Sequence, residues 1–156
     1  MKSIPAEDVA RIADFWVNRP WPLSEEEARG YCRELGWSQD GEGFFHVPYD
    51  LNPSYVSIVV GHAENGVATI DFSVTDYVKE ESDERSFFIN DVLAEVTAKL
   101  SELWGKPKVE KRKTSQQAQW DLENRCRVRL TSGGASVIFV VLSPSYADTE
   151  RYLEKR

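Results

Sequence analysis

The chain has 156 residues, 41% hydrophobic and 29% charged, with five Trp and a formal net charge of −7. That length suits a single domain, 1–156, whose core needs no disulfide or metal staple. The composition excludes a disordered or low-complexity chain, and the acidic balance argues against a nucleic-acid partner.

Met1 to Val17 carries Glu7, Asp8 and Asp14 and no apolar run, which predicts neither a signal peptide nor a membrane span. No membrane partner and a cytoplasmic location are therefore expected. A first helix is predicted from about Pro5 to Val17, with Ser3 as its cap and Val9, Ile12, Ala13 and Trp16 on one apolar stripe. Asn18-Arg19-Pro20-Trp21-Pro22-Leu23 breaks it. In a second helix, Ser24 and Glu27 have capping-box spacing, Ala28, Tyr31, Cys32 and Leu35 form the stripe, and Gly36 ends it. Trp37 is expected to fold back on that helix.

Three strands follow: Phe44 to Tyr49, Tyr55 to Gly61 and Val67 to Val74. In the third, Ala68, Ile70, Phe72 and Val74 alternate with Thr69, Asp71, Ser73 and Thr75, so one face is buried and one wet. The hairpin register suggested by the apolar residues sets Val56, Ile58 and Val60 opposite Val74, Phe72 and Ile70. It pairs Ala63 with Val67 across a Glu64-Asn65-Gly66 loop, with Gly66 in the left-handed region.

Glu80-Glu81-Ser82-Asp83-Glu84 leads into a third helix, about Arg85 to Trp104, stopped by Gly105 and Pro107. Lys106 to Lys113 reads as a basic connector. Ala118, Trp120 and Leu122 then face Leu130, Val128 and Cys126 in a second hairpin, which sets Asp121 opposite Arg127 around a Glu123-Asn124-Arg125 loop. Ala135 to Leu142 is continuously apolar and so predicted central, and Tyr146 to Lys155 is a final short helix. The order ααβββαβββα predicts an α+β fold: a mainly antiparallel sheet of about six strands with helices packed on one face.

Motifs for chemistry are missing. His46 and His62 have no ligand spacing, and each reads as a surface or hydrogen-bonded histidine. Cys32 and Cys126 read as small buried hydrophobes. Gly41-Glu42-Gly43 precedes a strand where a dinucleotide loop would open a helix, and no Gly-x-Ser-x-Gly elbow exists. No catalytic residue, metal or cofactor is expected. The run Lys106, Lys108, Lys111, Arg112, Lys113 lacks interleaved aromatics for stacking bases and reads as a solvated loop. Trp16, Trp104 and Trp120 fall on apolar faces; Trp21 either packs under the second helix or anchors a partner.

Charge is divided along the chain: residues 1–105 carry 8 basic and 20 acidic residues, and 106–156 carry 11 basic and 6 acidic. This division suits salt bridges across the fold, or an acidic surface that meets a basic partner. The candidate partner-binding residues are Asp71, Ser73, Asp76, Glu80, Glu81, Asp83, Glu84 and Trp21.

Asp14-Phe15-Trp16, Trp21-Pro22-Leu23-Ser24-Glu25-Glu26-Glu27-Ala28 and Leu35-Gly36-Trp37, with the Trp120 strand and Leu142-Ser143-Pro144-Ser145-Tyr146-Ala147-Asp148, resemble a family of small uncharacterised bacterial proteins. Many of these are thought to be immunity proteins for polymorphic toxins. The resemblance covers most of the chain and implies a non-catalytic protein that binds a toxin, such as a basic toxin domain, as a monomer or homodimer. The alternative expectation is a secretion-chaperone-like or adaptor protein that binds a partner polypeptide.

Overall fold

The computed structural model describes residues 1–61 and 66–156. The expectations for His62, the Ala63–Val67 pair and the Glu64-Asn65 turn lie outside these residues. The elements are α1 (Ala6–Val17), α2 (Glu25–Glu34), β1 (Ser38–Gln39), β2 (Phe45–His46), β3 (Val56–Val60), β4 (Val67–Ser73), α3 (Asp83–Trp104), β5 (Lys108–Lys111), β6 (Gln116–Asp121), β7 (Arg127–Ser132), β8 (Val137–Leu142) and α4 (Pro144–Glu154). It is an α+β fold around a six-stranded antiparallel sheet in the order β3-β4-β8-β7-β6-β5.

The six strands are not quite the six read from the sequence. Lys108–Lys111, taken for a connector, is the outermost strand β5, and all four of its residues are exposed. The Phe44 to Tyr49 strand shortens to β2 and pairs with β1 in a separate ribbon, joined to the main sheet through a bridge from His46 to Tyr55. β8 is central, between β4 and β7.

The β6–β7 register is the expected one, with Asp121 opposite Arg127, and Arg125 takes the left-handed position in its turn (φ 75). β3 and β4 are shifted by two residues from expectation: Val56 faces Phe72 and Ile58 faces Ile70. A step of two keeps every side chain on its face, so alternation cannot detect it. The hairpin also carries an irregularity between Val59 and Val60. Gly66 (φ 67) is needed twice over, because a Cβ there would stand 2.3 Å from the Leu23 carbonyl oxygen.

Helix starts follow local chemistry. In α2 the Ser24 hydroxyl accepts from Glu27 N and the Glu27 carboxylate accepts from Ser24 N, both at 3.0 Å. Ser24→Ala is expected to cost about 0.5–2 kcal/mol, read as a lower urea midpoint at unchanged slope. An unmoved midpoint would show that the box contributes nothing. At α1 the expected Ser3 cap is absent: Pro5 stands at the cap position, and Ser3 bridges to Thr75.

α1 and α3 pack together, and the buried Ile89, Val92, Val96 and Leu100 of α3 share one core with Trp120, Val128, Leu130 and Phe139 of the sheet. An aromatic chain crosses it, with ring centroids 6.0 Å apart for Trp16–Trp37, 5.9 Å for Trp37–Phe72 and 5.0 Å for Phe72–Phe139. The Trp120 indole donates to the Gly105 carbonyl at the end of α3 (2.8 Å), and the Asn124 amide donates to Val17 O at the end of α1 (2.8 Å).

α4 takes the other face of the sheet. Arg127 and Arg129 alternate with the core-facing Val128 and Leu130, and both reach α4. Arg127 is only 2% exposed and contacts Asp121, Glu150 and Glu154, each at 2.8 Å, while Arg129 bonds Glu150. Arg151 of α4 returns to Asp121 at 2.7 Å. Its docking surface is therefore largely ionic, with Ala147 as its buried apolar residue.

Candidate functional site

The face of the sheet away from the core is organised in rungs set by register. The rung nearest α4 runs Val59, Thr69, Leu142, Arg127, Asp121. The next runs Ser57, Asp71, Val140, Arg129, Gln119, Lys108, and beyond it come Ser73, Ile138, Thr131 and Gln117. α4 occupies the Arg127 end. Ser57, Asp71, Ser73, Ile138 and Val140 are half-buried by their neighbours.

Asp71 is the anomaly of this face. No salt bridge or hydrogen bond reaches its carboxylate among the described residues, and its lateral neighbours are Ser57 and Val140. Burial alone pushes its pKa up. An ionised carboxylate there forgoes part of its hydration and receives no counter-ion, a situation that a cationic partner group would relieve.

The structure does not gather the other expected residues around it. Asp76 is occupied: its two carboxylate oxygens accept from Lys2 N (2.7 Å) and Asn52 N (2.9 Å), fastening the N-terminal segment to the 50–53 loop. Glu80, Glu81, Asp83 and Glu84 are exposed around the start of α3, and Glu81 lies near Ser132 and Gly133 of the β7–β8 turn. Trp21 is half-buried against the core, and its indole donates to Trp16 O at 2.9 Å. Asp71 and Ser73 alone share the open face. Ile138 and Val140 were missed as surface residues, because a continuously apolar central strand gives no alternation to separate its two faces.

The sheet's two edges differ. β5 carries Lys108 and Lys111, the usual protection of an edge. β3 reads Val-Ser-Ile-Val-Val, has no charge, and leaves Val59 and Val60 exposed. Beside it the rings of Phe44 and Tyr55 stack edge-to-face at 6.3 Å, and both are exposed.

His46 Nε2 meets Asp40 Oδ2 at 2.7 Å and Nδ1 meets Ser54 Oγ at 2.9 Å; the bond to His46 is the main reason the Asp40 carboxyl lies below the usual range. Burial pushes both free thiols, Cys32 and Cys126, up to about 12, so neither is a nucleophile near neutral pH. Among the described residues no His, Cys, Asp and Glu cluster could hold a metal ion, and no helix is long and apolar enough to cross a membrane.

Fold and face together define a small α+β protein with one sheet surface partly left open. The chain belongs to a family of unknown function, DUF6301, which it matches over residues 7–143, from α1 through the end of β8. No curated protein and no solved structure matches it.

Proposed function

We propose that this protein works by binding another protein, and that it is an immunity protein that neutralises a cognate bacterial toxin through the open sheet face. The observation that carries this reading is Asp71: a half-buried carboxylate with no counter-ion among the described residues, beside the half-buried apolar side chains of Ile138 and Val140. A lysine or arginine of the toxin completes the charge pair while those side chains bury their remaining surface. The acidic net charge of −7 speeds the encounter with a basic partner.

Asp71→Asn separates binding from folding. The free protein should become more stable by about 0.5–1 kcal/mol, a figure discounted because water still reaches the group. Toxin affinity should fall roughly thirtyfold or more, as for truncation of one member of a desolvated charge pair. Binding should also weaken as pH falls through the raised Asp71 pKa, because protonation removes the charge. The deciding assay first looks for a toxin domain encoded beside this gene, whose absence would count against the reading, and then co-expresses the two. Wild type should restore growth and Asp71→Lys, verified as folded by circular dichroism, should not. Growth arrest that wild type fails to relieve would overturn the reading.

The uncharged β3 edge favours a second reading, an adaptor that takes an extended segment of its partner as an added strand. An adaptor of that kind binds an unfolded peptide; an immunity protein requires the folded toxin domain. Titration with each form separates the two.

A further inference from the structure

Arg85, in the first turn of α3, is 8% exposed. Its Nη1 donates to the carbonyls of Val78 (2.9 Å) and Lys79 (3.1 Å). Its Nε is buried without a hydrogen-bond partner. Nη2 has none either among the described residues: its contact with the exposed Glu81 carboxylate is long, at 4.0 Å. Nη1 is thus taken by two carbonyls and Nε is sealed in, so Nη2 is the nitrogen left free to meet an outside acceptor.

The space it borders is a cavity of about 260 Å³ between the start of α3, the β5–β6 turn and the β7–β8 turn. Arg112 and Lys113 line it from one turn, with the hydroxyls of Thr114 and Ser115, and Ser132 lines it from the other. Among the described residues, the Arg112 side chain meets only Glu110, at 3.6 Å. Gly134 lies beside Arg85 Nη2 and takes a backbone conformation (φ 96) that favours glycine.

We infer that this cavity binds a phosphate-like oxyanion, held by Arg85, Arg112 and Lys113 with help from the hydroxyls of Thr114 and Ser115. Arg85 Nη2 offers its N–H groups to one oxygen of a tetrahedral anion, and three cationic side chains offset a double negative charge. At about 260 Å³ the space has room for a phosphate group. Glu81 is the internal competitor: its carboxylate reaches toward the position that the anion would fill. The site is independent of the Asp71 face, and neither proposal stands or falls with the other.

Calorimetric titration of the whole chain with inorganic phosphate, against sodium chloride at matched ionic strength, tests the site. Saturable binding of phosphate is expected, with none of chloride. Arg112→Gln with Lys113→Gln, both surface changes, should weaken it roughly fivefold or more. Glu81→Gln should tighten it roughly two- to fivefold, the worth of one exposed charge. Arg85→Gln also removes the ties to Val78 and Lys79, so the test rests on the other variants. Methyl phosphate in a parallel titration separates the sources: affinity equal to phosphate marks a site for an esterified headgroup, and exclusion marks one for the free anion. Heats no larger than those of chloride, or phosphate affinity unmoved in both the double variant and Glu81→Gln, would overturn the inference.

Discussion

Arg127→Ala is expected to destabilise the protein by about 3–5 kcal/mol, the cost of removing one member of a buried ionic network. At a urea slope of about 1–3 kcal/mol/M, that lowers the unfolding midpoint by more than about 1 M. The side chain is enclosed between β7 and α4, and its guanidinium meets three carboxylates at 2.8 Å. Its loss leaves Asp121, Glu150 and Glu154 facing one another, with Arg129, Arg151 and the more distant Lys108 to compensate, so α4 should detach before the sheet unfolds.

The same network sets a pH dependence. Burial alone would raise the Asp121 pKa, but hydrogen bonds from Arg127 and Arg151 outweigh it and hold the carboxyl below its ordinary value. Glu154 is lowered chiefly by its hydrogen bond with Arg127. Groups whose folded pKa is depressed stabilise the fold above their unfolded pKa and lose that contribution as pH falls through the folded one. Wild type should therefore lose stability between about pH 5 and pH 3 more steeply than Arg127→Ala. Parallel slopes would show that the carboxylates are not coupled to Arg127.

Trp16→Ala should cost a comparable amount, about 3–5 kcal/mol, through the void it opens in the core. Trp16 is fully buried, with Phe15, Tyr31 and Trp37 against its ring at centroid distances of 5.5, 6.3 and 6.0 Å. Its indole N–H is also buried without a partner. Trp16→Phe removes that unsatisfied donor along with volume, so it should retain more stability than the loss of ring size alone predicts. Urea melts of the two variants at equal slope check this, and a phenylalanine variant that loses as much as its smaller ring alone predicts would show that the unsatisfied donor costs nothing.

These elements also show what a sequence can reveal. The β6–β7 hairpin was readable to the residue because two clean alternations and a short turn leave one register that keeps Trp120 and Val128 together. The β3–β4 hairpin has the same alternation, but its pairing from Val56 to Val59 lies two residues from the expected one, a slip that face patterning does not register. β5 escaped because an edge strand with every residue exposed carries no apolar rhythm. α4 was readable as a helix, but its charged residues look solvated until Arg127 and Arg129 are placed beneath them. For the candidate face, the outward direction of Asp71 and Ser73 was legible. The isolation of Asp71 was not, since it depends on which strands flank β4. Arg85 left a single trace, three residues beyond the helix-capping Ser82.

The position of β8 has a consequence for synthesis. It is the last of the sheet strands to be made, yet it lies between β4 and β7 and joins a two-stranded half to a three-stranded one. Until Val137–Leu142 leaves the ribosome, β4 and β7 each present an unpaired inner edge, and α3 has no continuous floor to rest on. Vectorial synthesis cannot therefore complete this core from its N-terminus onward. A chain released before β8 carries two unpaired strand edges, and its fate belongs to chaperones and proteases.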